Sequence, residues 1–265
     1  LKKLPLYQNS SQLRQLMQKL CIIKAGSTFS STLERLGDFE EWIINALGAI
    51  PLSVEVIDAR EGGALPSPDA CGGVIVTGSH AMVTDNLAWS LGMESWIPLL
   101  VEAAVPFLGI CYGHQLLGRA MGGEVGYHPL GREIGTVAIM LAAEAVHDPL
   151  FNALPDRFAA HATHAQSVLT LPPGAVTLAS SLHDPVHAFR VGSAAWGVQF
   201  HPEYSAAVMQ AYISAQGESL RQSGRSVGNL LKDAVDTPHA RKVLTNFGAL
   251  VYNHCRAASL TTTTG

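Results

Sequence analysis

The sequence predicts an α/β protein with a mostly parallel sheet flanked by helices and an added antiparallel β segment at one edge. Three observations carry this reading. Short, wholly apolar runs of strand length recur in the first half of the chain, as expected of strands covered on both faces. Segments with apolar residues at helical spacing lie between them, which is the pattern of βαβ units. After Gly123 the texture changes to short β-like runs separated by Gly, Pro and Asp.

Leu20-Cys21-Ile22-Ile23 is the first strand, ending at Gly26. Residues 32–47 place Leu33, Leu36, Phe39, Ile43, Ile44 and Leu47 at helical spacing, and Gly48 closes that helix. Val54–Ile57 and Gly73–Thr77 are the next strands, with loop chemistry between them at Glu61-Gly62-Gly63 and Pro66-Ser67-Pro68. Residues 87–104 read as a helix in which Pro98 argues for a kink. Pro106–Ile110 is the fourth strand. β-like runs follow at 132–140, 168–171, 175–180, 186–190 and 194–199, read as an antiparallel meander. Helical pattern returns at 205–220 and 237–256. A single domain is expected over residues 20–256, its C-terminal helices starting near 205, with an N-terminal extension over 1–19 and a tail over 257–265.

With 265 residues, 48% of them hydrophobic and 14% charged, the chain can bury a substantial core and is neither disordered nor a coiled coil. A formal charge of -4 with no basic block argues against a nucleic-acid partner. The best apolar run, 134–143, is too short for a membrane span of ~20 residues, so no membrane partner is expected. Cys21, Cys71, Cys111 and Cys255 are far apart and form no CxxC pair, as expected of reduced thiols in a cytoplasmic protein.

The most informative stretch is Phe107-Leu108-Gly109-Ile110-Cys111-Tyr112-Gly113-His114-Gln115. An apolar strand runs through Gly-x-Cys-x-Gly straight into a helix, the cysteine form of a nucleophile elbow. Side chains two residues either side of the nucleophile would collide in so sharp a turn, and Gly109 and Gly113 occupy those places. The thiol then sits at a helix N-terminus, where the dipole and free N–H groups favour thiolate. A buried cysteine in an ordinary glycine turn is the competing reading.

A thiolate nucleophile needs a base, and the base an orienting partner. His201 projects from the end of the apolar run Ala195–Phe200, Pro202 extends the chain, and Glu203 points the same way. Glu203 can accept the Nδ1–H of His201 and leave Nε2 facing Cys111. The run Val74–Thr77 ends in Gly78-Ser79-His80, a turn able to aim backbone N–H groups at an oxyanion beside the N–H of Tyr112. An ordinary βα turn fits that spacing equally.

GICYGHQ, VTGSH and GVQFHPE together resemble the three signatures of class I (triad-type) glutamine amidotransferase domains. Within that family the chain is most similar to the amidotransferase half of GMP synthetase and its stand-alone relatives, from about Leu20 to Tyr204. The resemblance implies a flavodoxin-like sheet, Cys111 as nucleophile, His201 as base and Glu203 as its orienter. It places Gly78, Ser79 and Tyr112 at the oxyanion and gives Gln115 the glutamine substrate to hold. Residues 161–168 resemble the family's Ser-His-Gly-Asp-x-Val stretch, making Thr163, His164, Ala165 and Gln166 substrate contacts. Here Ala165 and Gln166 replace Gly and Asp, and Gly78-Ser79-His80 stands where two glycines and a proline are frequent.

The implied reaction is hydrolysis of a γ-carboxamide through a γ-glutamyl thioester on Cys111, requiring no cofactor and no metal. The expected partner is glutamine or a γ-glutamyl compound. No SGGxDS phosphate loop follows Tyr204, so the chain is expected either to serve a separate ATP-dependent synthetase subunit or to act alone, as a glutaminase or γ-glutamyl peptidase. Two rivals stand beside this: a non-catalytic binding module of the same fold, and a metal-binding protein using His161-x-x-His164 and His183-x-x-x-His187. Such histidine pairs occur often by chance, and His80, His128 and His164 are expected instead to line or rim a polar cleft.

Overall fold

A computed structural model describes residues 19–261, so the expected N-terminal extension, apart from Lys19, lies outside the described residues. The first half alternates strands and helices: β1 (Lys19–Lys24), α1 (Ser30–Leu36), α2 (Phe39–Leu47), β2 (Val54–Asp58), β3 (Cys71–Val76), α3 (Ala88–Glu102), β4 (Phe107–Ile110) and α4 (Tyr112–Ala120). The second half contributes β5 (Glu124–Tyr127), β6 (Glu133–Leu141), β7 (Arg157–His164), β8 (Gln166–Thr170), β9 (Val176–Ser180), β10 (Ala188–Val191) and β11 (Ala195–Val198). It ends in α5 (Ala206–Ala215), α6 (Gly217–Gln222), α7 (Val227–Asp233) and α8 (Pro238–Thr261).

Nine strands form one sheet in the order β2-β1-β3-β4-β11-β10-β9-β6-β7, and β5 and β8 form a separate antiparallel pair. The strands β2, β1, β3, β4 and β11 are mutually parallel, and the antiparallel part begins at β10. The parallel centre is covered on both faces, which explains its unbroken apolar runs. Leu20 and Ile22 pack into a cluster with Ile43, Leu244 and Phe247, whereas Cys21 and Ile23 face Met93, Ile97 and Leu116.

Several elements differ from the sequence reading. The helix expected over 32–47 is two helices. Gly37 ends the first at φ 80° with its N–H on the Leu33 carbonyl, and Asp38 starts the second by accepting from the Phe39 N–H at 2.9 Å. The helix over 87–104 is found as α3, which continues through Pro98 because burial of Met93, Trp96, Ile97 and Leu100 holds it to the sheet. The run 194–199 is β11, which pairs antiparallel with β10 as expected but joins the parallel sheet on its other edge, beside β4. β5 and β7 were not anticipated, since the alanines and histidines of β7 give little β-propensity signal. The helical pattern at 205–220 is broken into α5 and α6, α7 is additional, and α8 extends past Arg256 to Thr261, into the expected tail. Among the described residues no helix is long and apolar enough to cross a membrane.

Candidate active site

Cys111 links β4 to α4 with φ 50° and ψ −94°, a region that a non-glycine residue occupies only when its surroundings over-determine it. The two flanking glycines make the turn sterically possible. A Cβ on Gly109 would run into the Gly113 carbonyl, and one on Gly113 would lie 2.6 Å from the Val76 oxygen. β4 pairs in parallel with β11, Ile110 opposite Val198, so both strands leave the sheet at the same edge. The Cys111 N–H donates to the Val198 carbonyl at 2.8 Å, and three residues past β11 the His201 N–H donates to the His161 carbonyl at 2.8 Å. That bond fastens His201 to β7.

His201 and Glu203 are both buried, and the imidazole Nδ1 donates to Glu203 Oε1 at 2.7 Å. The ring Nε2 makes no hydrogen bond among the described residues, and the Cys111 thiol acts on the ring through its charge. Burial by itself would lower the basicity of His201, but the Glu203 carboxylate and then Cys111 outweigh it and raise its pKa to about 10. Tyr204 stacks on the ring with centroids 4.0 Å apart, and Phe39, the first residue of α2, lies 6.3 Å away and nearly parallel.

A cavity of about 290 Å³ opens onto Cys111 and His201. β3 neighbours β4, so the turn after it arrives beside the thiol. Gly78 lies against His201, where an added Cβ would be 3.0 Å from Cε1, and Ser79 and Tyr112 line the cavity. The Tyr112 phenol hydrogen-bonds the Ser90 hydroxyl.

The residues expected to touch substrate also line this cavity, but several are engaged within the protein. Gln115 Nε2 donates to the Gln166 carbonyl at 2.7 Å and to Gln199 Oε1 at 3.0 Å. Gln166 Nε2 donates to Thr84 Oγ1 at 2.6 Å. The Thr163 carbonyl lies 4.0 Å from Cys111 Sγ, and Ala165 completes the wall. His80 lines the cavity and bonds the Tyr212 hydroxyl at 3.2 Å; burial, followed by the charge of His201, keeps it below the ordinary imidazole value. His128 instead packs against His183, with ring centroids 4.4 Å apart and the planes tilted by 32°.

Sequence reasoning missed Glu133, Arg132, Phe39, Tyr204 and Tyr212. Glu133 Oε2 accepts from His164 Nε2 at 2.9 Å and His187 Nε2 at 2.7 Å, and its Oε1 accepts from Ser181 at 2.9 Å. Burial would raise this carboxyl; the two imidazoles outweigh it and hold it well below the usual carboxylate range. The histidine spacings noted in the sequence thus converge by one member each, His164 and His187, around a carboxylate that no spacing rule included. Their three facing atoms lie within 4.8 Å of one another, a set a metal ion could use, and here hydrogen bonds satisfy them.

The family model described as glutamine amidotransferase class-I matches residues 33–217, more than half of the chain. The chain is 31% identical over 190 residues to the glutamine-hydrolysing GMP synthase of Aeropyrum pernix, a match covering 68% of this chain and 35% of that enzyme. It therefore spans about a third of that relative's length. Gamma-glutamyl peptidase 5 of Arabidopsis thaliana is 31% identical over 143 residues, 53% of this chain and 57% of the peptidase. A solved glutamine amidotransferase from Thermotoga maritima superposes with a TM-score of 0.68 over 90% of this chain and 99% of its own; at 22% identity that likeness bears on fold alone.

Proposed function

The chain belongs to the class-I glutamine amidotransferase family, and on that premise we propose that it hydrolyses the γ-carboxamide of glutamine through a γ-glutamyl thioester on Cys111. The Cys111 thiolate attacks the γ-carbonyl carbon. Backbone N–H groups of Tyr112 and of the Gly78-Ser79 turn receive the oxyanion, and the His201 imidazolium passes a proton to the departing ammonia. The neutral imidazole, oriented by Glu203, then takes a proton from water, which attacks the thioester and releases glutamate.

One observation carries this reading: the strained Cys111 backbone and the Glu203-held imidazole of His201 open onto the same cavity. The test is release of ammonia and glutamate from glutamine, measured with and without Cys111→Ala. Loss of both products in the variant is the expected result, and equal turnover would remove the assignment. The ammonia would go to an ATP-dependent synthetase, in keeping with the GMP synthase relatives; if that synthetase is a separate subunit, it should co-purify with the chain.

A second reading, γ-glutamyl peptidase action on γ-glutamyl conjugates, is favoured by the aromatic wall. Phe29, Phe39, Tyr204 and Tyr212 line the cavity with His201, the residue that protonates the leaving amine. A larger apolar amine would bury area there that ammonia does not. Conjugates with aromatic amines should then outcompete glutamine in kcat/KM.

A further inference from the structure

Among the described residues lining the cavity, Arg132 is the one permanent cation, and none is an aspartate or glutamate. Arg132 precedes β6 and is half-buried; among the described residues its only side-chain hydrogen bond is from Nη1 to the neutral Gln216 Oε1. It is held in place from behind, where Arg225 donates to its backbone carbonyl. Gln216 is held in turn, its Nε2 donating to the Tyr212 carbonyl at 3.2 Å and to Thr163 Oγ1 at 3.4 Å, so its oxygen is left for the guanidinium. Thr163 is the residue whose carbonyl lies 4.0 Å from Cys111 Sγ. The guanidinium is therefore positioned three contacts from the thiol, and among the described residues it forms no ion pair with a carboxylate.

A partly desolvated guanidinium without an anion is a poor arrangement for stability alone, and its planar fork matches a carboxylate. We infer that Arg132 anchors a carboxylate of the substrate, and that the ligand preferred by this cavity carries net negative charge. The second part follows from the same lining: Gln166 stands where the resembling stretch carries Asp, so no side-chain anion is offered to an α-ammonium. The inference rests on the proposed γ-carboxamide chemistry for the identity of the acyl group. The chemistry recognised is a carboxylate, supplied either by the α-carboxylate of a γ-glutamyl group or by the leaving group of a γ-glutamyl amino acid.

Protection of Cys111 from iodoacetamide, followed by mass spectrometry, tests this without turnover. Glutaramate, a carboxylate with no α-ammonium, should protect the full chain at about 10- to 100-fold lower concentration than the neutral glutaramide. Arg132→Gln should abolish that preference, and Arg132→Lys, which keeps charge but not the fork, should retain part of it. Glutaminamide protecting as poorly as glutaramide assigns the anchor to the α-carboxylate; γ-glutamylglycine protecting far better than glutamine assigns it to the leaving group. Equal protection by glutaramate and glutaramide together with equal protection by γ-glutamylglycine and glutamine in the native chain, or a full carboxylate preference in an Arg132→Gln protein that unfolds at the native temperature, would overturn the inference. Absence of ammonia release from glutamine would defeat the proposed hydrolysis while leaving the protection ratio as the measure of Arg132.

Discussion

His201 is buried between an aromatic shelf and the Glu203 carboxylate, and its protonation follows from that setting. Its folded-state pKa, about 10, lies above the ordinary value of 6.5. The stabilisation it contributes is therefore complete below pH 6.5 and disappears as pH rises through about 10. Glu203→Gln should lose this dependence: its thermal midpoint should lie furthest below that of the native chain in the acid-to-neutral range and converge above about pH 10. The same substitution leaves the ring without its charged partner, and glutamine hydrolysis should fall by about 10²- to 10⁴-fold in kcat, read in a steady-state ammonia assay. The local motifs around these residues are legible because each is written in a few consecutive positions. Arg132 and Glu133 are not, because an ordinary polar pair ahead of a strand becomes informative only when its neighbours are known.

Two turns decide how the elements deliver those residues. At the elbow, α4 packs so close to β3 that Gly113 has no room for a methyl group beside Val76. Gly113→Ala should cost about 1–3 kcal/mol in urea unfolding and also slow alkylation of Cys111, because relief of the clash moves the turn that carries the thiol. At the start of α2, Asp38 accepts from the N–H groups of Thr28 and Phe39 and pairs with Lys24 at 2.8 Å. Burial raises its carboxyl, but Lys24 and these backbone donors outweigh it and lower its pKa. Asp38→Ala should remove about 2 kcal/mol or more, seen as a lower urea midpoint, since cap and buried pair go together. It also loosens Phe39 against His201. Helical periodicity across 32–47 hid this break because both helices turn apolar residues inward, and only the Gly37-Asp38 pair signals the stop.

Across the whole molecule, the strands of the antiparallel extension are tied to one another through buried polar contacts as well as apolar ones. Glu133 on β6 holds His164 at the end of β7, Ser181 after β9 and His187 ahead of β10. Removing the carboxylate strands two buried imidazoles, so Glu133→Ala should cost about 3–5 kcal/mol in denaturant unfolding. Lys19→Ala, which breaks an exposed pair with Glu55, should cost below about 1 kcal/mol. Similar losses for the two variants would show that the extension is held by its apolar contacts alone.

The amino-acid sequence by itself determined the α/β class, the strand–turn–helix around Cys111 and the His-x-Glu that ends an apolar run, because apolar period and glycine sterics act over a few residues. Tertiary structure alone decided that β11 inserts parallel beside β4, which brings Cys111 and His201 to one edge, and that Arg132 faces a cavity without carboxylates. Strand order is set by which apolar faces can be covered together. That is a property of the assembled sheet, which no local stretch of sequence contains.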